Sequence, residues 1–343
     1  MATFEIGDWT VPPGTVGKGT VGEVRLAAGT TVRVPVVVVN GAEDGPVLVV
    51  TGATHGDEIV GTGSLVSAIR KLDPARMRGT LVAIMVANPL AFEAASYGSP
   101  YDRLHMAQPL LWPSSPDGLI TQRLAAAFRP VLDQATHYLD LHGNPDPSFP
   151  MAMLFPDQAR DDTVRAAQRS MADAAGLTAV RMFEPPDSSG SLVGSIAGQP
   201  AAAASAHGIA GVMVELSGRH SLAGTESGRI VIMNVMRRIG MLDGALEDQP
   251  VPRLPGRFTY HGALVNRHAG LFWPARPPGD LVREGEVLGE ISDVWGDRVE
   301  EIVMPVTGFL WGYPGSLHGQ ATHALPEGVL IGFCAVLDNP DLP

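Results

Sequence analysis

Two patterns of apolar and polar positions alternate along the chain. Short Val-rich runs bounded by Gly, Pro and Asn, such as Thr31–Gly41, Val47–Val50 and Gly79–Ala87, predict buried strands. Between them apolar positions recur at helical spacing: Leu65, Val66, Ile69 and Leu72 follow the second run, and helices are predicted over Leu119–Leu132 and Asp161–Ala175. Further strand-like runs stand at 138–141 and 211–216. This alternation from residue 47 to about 245 predicts an α/β fold, a mixed and mostly parallel sheet with helices on both faces.

Other stretches carry different patterns. Residues 1–45 read as short strands and turns. Residues 88–118 are rich in Pro, Ser, Asp and Tyr and too long for an ordinary connection, which marks a functional loop. Residues 184–203 form a second irregular stretch suited to one wall of a pocket. The segment 246–257, Leu-Glu-Asp-Gln-Pro-Val-Pro-Arg-Leu-Pro-Gly-Arg, reads as a linker. Beyond it, short Val/Leu/Ile runs punctuated by Gly predict an all-β module. The expected organisation is therefore a larger α/β domain over 1–245 and a smaller β domain over 258–343. That module has the look of a biotinyl or lipoyl carrier, but no lysine follows Lys71, so a carrier role is excluded.

Composition narrows the partners. A net charge of −12 without a basic run argues against nucleic acid. No apolar stretch approaches the roughly 20 residues of a membrane helix, and the first eight residues lack the basic start and apolar core of a signal peptide. The single cysteine, Cys334, excludes an internal disulfide and fits a reducing cytoplasm; its strand-like surroundings predict a buried site. The expected partner is a small molecule, and nothing argues against a homo-oligomer.

Candidate chemistry sits at the ends of the predicted strands. Val47–Thr51 leads through Gly-Ala-Thr to His55 and Glu58, on the turn into a helix, where one helical step separates an imidazole from a carboxylate. A second run ends in Asp140-Leu141-His142-Gly143, and a third in Glu215-Leu216-Ser217-Gly218. Open α/β sheets hold ligands at this edge. Three ligands with a further unattached carboxylate meet the needs of zinc hydrolysis, in which a bound water is acidified and a nearby base takes its proton.

With these segments in view, the chain resembles the succinylglutamate desuccinylase/aspartoacylase family, zinc deacylases related to the zinc carboxypeptidases. The likeness extends to Pro35-Val36-Val37, Asn40-Gly41, Gly45-Pro46, Asn88-Pro89-Leu90-Ala91-Phe92 and Gly279–Glu286. The resemblance implies a zinc-carboxypeptidase-like α/β/α sandwich with a smaller β domain near the cleft. It also implies one Zn2+ per chain held by His55, Glu58 and His142, with Glu215 as the general base that later protonates the departing amine. Asp57 and Asp140 are candidates for orienting the imidazoles, or equally for capping turns.

The departures from the family pattern bear on substrate. In the loop after Asn88-Pro89 the family carries Arg, then Ser-Pro-x-Asp, then Asn-Leu-x-Arg. Anchored on Ser99-Pro100 and Asp102, this chain places Tyr97 at the first Arg, His105 at the Asn and Gln108 at the second Arg. An amide does not replace the planar fork of a guanidinium on a carboxylate. The expectation is an amide substrate lacking the usual amino-acid carboxylate, with oxyanion stabilisation from zinc and from Tyr97, His105 or Arg103. The alternatives are an N-acyl-amino-acid deacylase whose clamp uses Arg103 or Arg181, an ester hydrolase, and a metal-binding homologue without catalysis. Trp112 and Trp273 are expected in the core, Glu215 has Arg219 as a candidate ion-pair partner, and His318 and His323 are expected in solvent.

Overall fold

The structure, a computed structural model, describes residues 2–107, 111, 114–144, 148–184, 196–313 and 324–338. The chain begins with β1 (Phe4–Ile6), β2 (Trp9–Val11), β3 (Thr15–Arg25), β4 (Thr31–Asn40) and β5 (Glu43–Thr51). Then come α1 (Ile59–Ile69), β6 (Arg78–Ile84), α2 (Pro89–Glu93), α3 (Ile120–Leu132), β7 (His137–Asn144) and β8 (Met151–Leu154). They are followed by α4 (Asp162–Ala175), β9 (Thr178–Arg181), α5 (Pro200–Ala206), β10 (Ala210–Ser217) and α6 (Leu222–Arg238). The remainder is all β: β11 (Phe258–Val265), β12 (Gly270–Pro274), β13 (Val287–Ser292), β14 (Arg298–Val303), β15 (Gly308–Leu310), β16 (Ala324–Leu325) and β17 (Leu330–Leu337).

Eleven strands form one mixed sheet in the order β15-β17-β11-β9-β8-β10-β7-β5-β6-β4-β3. Its centre, β6-β5-β7-β10, is parallel, and both ends are antiparallel. The unbroken apolar run of β5 has a direct cause. Val49 packs into one core with α3 and α5, while Leu48 and Val50 pack into the other with α1, α4 and α6. A strand covered on both faces has no reason to alternate apolar with polar residues.

The predicted helices form where their ends are chemically marked. Asp161 accepts from the Val164 N–H at 2.9 Å and opens α4, and Gly176, at φ 74°, closes it in the left-handed conformation. The Asp102 carboxylate opens α3, accepting from the N–H and the hydroxyl of Thr121, both at 2.8 Å. Asn88 opens α2 through a 3.2 Å bond from the Ala91 N–H. These two caps pin both ends of the segment that carries Tyr97 and His105.

The sheet continues through the carboxyl-terminal segment. Residues 246–257 form neither helix nor strand, and β11 then pairs in parallel with β9, Phe258 opposite Val180 and Thr259 opposite Arg181. Strands β12, β13, β14 and β16 make a separate antiparallel sheet over a third core. Strand β17 is shared: Phe333 and Ala335 face the large core, Ile331 and Cys334 the small one. Cys334 is buried, as its surroundings predicted. Trp273 is not a core residue. Phe272 takes the inward position on β12, so by alternation its neighbour turns outward and is 55% exposed. Trp112, Gln108, His318 and His323 lie outside the described residues. No helix among the described residues is long and apolar enough to cross a membrane.

Candidate active site

The parallel strands β5, β7 and β10 end together, and each delivers one part of a buried cluster. Beyond β5 the chain turns through Ala53, at φ 51°, and then presents His55. Gly56 is required at this turn, because a Cβ there would lie 2.0 Å from the Ala91 carbonyl carbon of α2. Glu58 precedes the first turn of α1 without capping it. Its side chain turns into the cluster instead, Oε1 lying 2.9 Å from His55 Nδ1 and Oε2 3.1 Å from His142 Nδ1. The Gly143 N–H donates to Oε2 at 3.1 Å. A Cβ on Gly143 would meet Val60 Cγ1 at 2.5 Å, so glycine lets α1 approach β7 closely enough for that bond.

On β7, Tyr138, Asp140, His142 and Asn144 share one face by the two-residue period. Asp140 accepts from Thr51 Oγ1 at 2.5 Å and Thr54 Oγ1 at 2.9 Å, and its Oδ2 lies 3.0 Å from His142 Nε2. The Tyr138 hydroxyl joins the network through Thr51 at 2.8 Å. Register places Glu215 of β10 beside His142, and Asn144 Nδ2 donates to Glu215 Oε2 at 3.0 Å. Thr51, Thr54, Tyr138 and Asn144 were not singled out from sequence. The two-residue repeat that puts Asp140 and His142 on one face also contains Tyr138 and Asn144, and was the available signal.

The loop residues reach the same place. The Tyr97 ring stacks on His55, centroids 3.7 Å apart, and its carbonyl accepts from the Gly56 N–H at 3.3 Å. His105 Nδ1 lies 3.2 Å from His55 Nε2, the loop being tied to the β5 turn by a 3.3 Å bond from Met106 N–H to the Thr54 carbonyl. Arg103 is exposed, with φ 60°. Arg181 stands elsewhere: it bonds Asp338 at 2.7 Å and Thr259 at 2.9 Å, at the end of β9 that points away from this edge. Arg219 pairs with Asp57, not with Glu215, and lies 5.8 Å from the centre of the Tyr97 ring. Asp57 thus holds a guanidinium, whereas Asp140 holds an imidazole.

Burial and charge set the protonation pattern. Burial opposes ionisation of Glu58, but the His55 and His142 imidazoles outweigh it and keep the carboxyl far below its ordinary value. Burial also disfavours a charged His142, yet the Asp140 and Glu58 carboxylates raise its pKa well above 6.5. Burial dominates at His55 and lowers it. Burial, with His55 and His142 nearby, takes His105 down to about 3. Burial pushes Glu215 up to about 8, helped by Glu58 and opposed by His142. It also holds the Tyr97 hydroxyl protonated well beyond its ordinary range.

The donor set suits a cation. Ligand atoms of His55, Glu58 and His142 all lie within 4.8 Å of one another. The two Nδ1 atoms face each other at 3.3 Å, and two N–H hydrogens cannot occupy that gap, so at least one lone pair points inward. Tetrahedral zinc with imidazole ligands separates its donors by roughly 3.3 Å, and the contacts among these three residues span 2.9–3.3 Å. Asp140 behind His142 supplies the outer carboxylate common to metal-bound histidines.

Residues 44–231, more than half of the chain, match the succinylglutamate desuccinylase/aspartoacylase catalytic domain. No curated protein sequence gives a match. Among solved structures, a succinylglutamate desuccinylase from Silicibacter sp. TM1040 superposes with a TM-score of 0.77 at 22% identity, covering 96% of this chain and 97% of that one. The ectoine utilization protein EutE (DoeB) from Ruegeria pomeroyi, in a product-bound structure, gives 0.78 at 23% identity, over 94% and 95% of the two chains. A succinylglutamate desuccinylase/aspartoacylase from Rhodobacter sphaeroides gives 0.77 at 22% identity, over 94% and 96%. These likenesses establish the shared fold, and the domain match establishes the kinship: the chain belongs to the succinylglutamate desuccinylase/aspartoacylase family.

Proposed function

We propose that the protein is a zinc-dependent hydrolase that cleaves the amide bond of a small acylated molecule. The observation that carries this reading is the convergence of His55, Glu58 and His142 beside the carboxylate of Glu215. Zinc held by those three residues would supply Lewis acidity and lower the pKa of the attacking water toward neutrality. Glu215, oriented by Asn144, would be ionised by the nearby dication, whose charge opposes the burial that raises it, and so take a proton from the water as its oxygen adds to the acyl carbon. When the C–N bond breaks, the same proton passes to nitrogen, leaving an acid and an amine. With the metal bound, Asp140, whose Oδ2 lies 3.0 Å from His142 Nε2, would hold the remaining imidazole proton on Nε2 and leave Nδ1 for the metal.

Tyr97 and His105 are the groups suited to the developing oxyanion, since one keeps its hydroxyl proton and the other stays neutral. Arg103, exposed, is poorly placed for that role or for a carboxylate clamp, and Arg181 lies at the far end of its strand. Arg219 is already committed to Asp57. Among the described residues no uncommitted guanidinium stands at Tyr97 and His105, and a substrate without an amino-acid carboxylate fits best. An ester would meet the same machinery. The single, buried cysteine suits work in a reducing cytoplasm.

The test combines metal analysis of the purified protein with amine release from N-acyl amino acids and from matched neutral amides. Stoichiometric zinc and faster cleavage of the neutral amides are expected. Strong preference for the free carboxylate overturns the substrate assignment. Full metal with no hydrolysis across the panel favours a binding protein instead.

A further inference from the structure

The side of the sheet covered by α4 carries a cluster of arginines that hydrolysis leaves unused. Arg165 and Arg169 of α4, Arg181 of β9, and Arg253 and Arg257 in the segment before β11 line one cavity of about 620 Å³. Five guanidinium groups around one opening run against the composition of a chain with net charge −12.

Neighbouring carboxylates do not use this charge up. Arg165 pairs with Asp162, Arg181 with Asp338 at 2.7 Å, and Arg253 with Asp173 at 3.8 Å. Among the described residues, Arg169 and Arg257 form no ion pair and Asp173 is the only carboxylate in the lining. The Nε of Arg181 is buried and has no hydrogen-bond partner there. Phe183, 5.6 Å from the Arg181 guanidinium, adds an apolar wall.

The cavity is separate from the candidate active site. Met151 of β8 lies opposite both Glu215 and Thr178, and Leu154 lies opposite Arg181. Arg181 is thus three residues further from the catalytic edge, roughly 10 Å along the strand, and two strands across. It also points to the other face. Val180 packs into the core that holds Met213, whose face Glu215 shares, so Arg181 turns to the α4 side.

We propose that this cavity binds a small organic polyanion carrying two or more phosphate or carboxylate groups. Guanidinium forks match both oxyanions in two-point hydrogen bonds. The volume lies within the range of small-molecule sites, about 300–1,000 Å³, and exceeds the need of a single phosphate. Two arginines that form no ion pair among the described residues offer donors whose occupation breaks no existing pair.

Isothermal titration of the full chain with fructose 1,6-bisphosphate, tricarballylate and inorganic phosphate tests this. One-to-one binding of the bisphosphate or the tricarboxylate, at least tenfold tighter than inorganic phosphate and weakening with salt, is expected. The tighter of the two assigns the oxyanion. Arg169→Ala/Arg257→Ala should weaken binding at least tenfold, while Arg283→Ala/Arg298→Ala, which removes equal charge from the exposed carboxyl-terminal sheet region, should leave it unchanged. Absence of binding by both polyanions overturns the proposal. So does equal affinity in the first variant, or an equal loss in the second.

Discussion

Replacing Asp140 with Asn isolates the outer support of the metal cluster. Asp140 is fully buried, gives Oδ1 to Thr51 and Thr54, and sets Oδ2 3.0 Å from His142 Nε2. Asn has the same shape and keeps an oxygen for the two hydroxyls, so the strand ends should stay in place. Its NH2 group then faces His142 Nε2. A donor at that position favours the tautomer with its lone pair on Nε2 and its hydrogen on Nδ1, the atom that points at Glu58 and His55. A metal would have to reverse this tautomer before His142 could bind it. Loss of such an outer partner costs about 10–100-fold in metal affinity, or about 1.4–2.8 kcal/mol at 1.4 per decade. We expect the upper half of that range, because Asp140→Asn both removes a charge and inverts the preferred tautomer. Competition titration against a chromophoric chelator measures it, with circular dichroism of the metal-free variant as a folding control. A dissociation constant within twofold of the parent would refute the role given to Asp140.

Glu215→Gln should retain full metal and lose about 10²–10⁴-fold in kcat, the usual worth of a positioned general base; inductively coupled plasma analysis and an amine-release assay read the two halves. The metal-free protein should lose thermal stability as pH rises from 7 to 9. His142 and Glu215 both bind their protons more tightly when folded, so their contributions are complete below the unfolded values and are lost as pH climbs toward the folded ones, about 8 for Glu215. The carboxylates shifted downward finish titrating below pH 7, and the histidines shifted downward, still partly protonated when unfolded at pH 7, add only a smaller opposing rise; a melting temperature that rises over the interval would contradict this pattern. Gly143→Ala, forced against Val60 at 2.5 Å, should cost about 1–3 kcal/mol in urea denaturation and weaken metal binding through the displaced N–H. Phe128→Ala, in a fully buried ring position of α3, should cost about 3–5 kcal/mol and leave metal affinity unchanged.

Much of the protein was legible in the sequence because faces and ends are local properties. The Val-rich run of β5 announces a strand covered on both sides, and the caps at Asp161 and Gly176 mark both ends of α4. His55, Glu58, His142 and Glu215 stand at the ends of such runs, where parallel strands present their ligands. Tertiary structure decided what pairs with what. Strand order brings β7 between β5 and β10, and their register sets Asp140 against Thr51 and His142 against Glu215. The folding of the loop after α2 stacks Tyr97 on His55 and carries His105 to the cluster. The same long-range pairing commits Arg219 to Asp57 and draws five arginines around a cavity far from the catalytic edge. Periodicity reports which way a side chain points within its own element. Polar partners separated by 85 or more residues, as Glu58 is from the Gly143 N–H, leave no repeat in the sequence and meet only when the sheet is assembled.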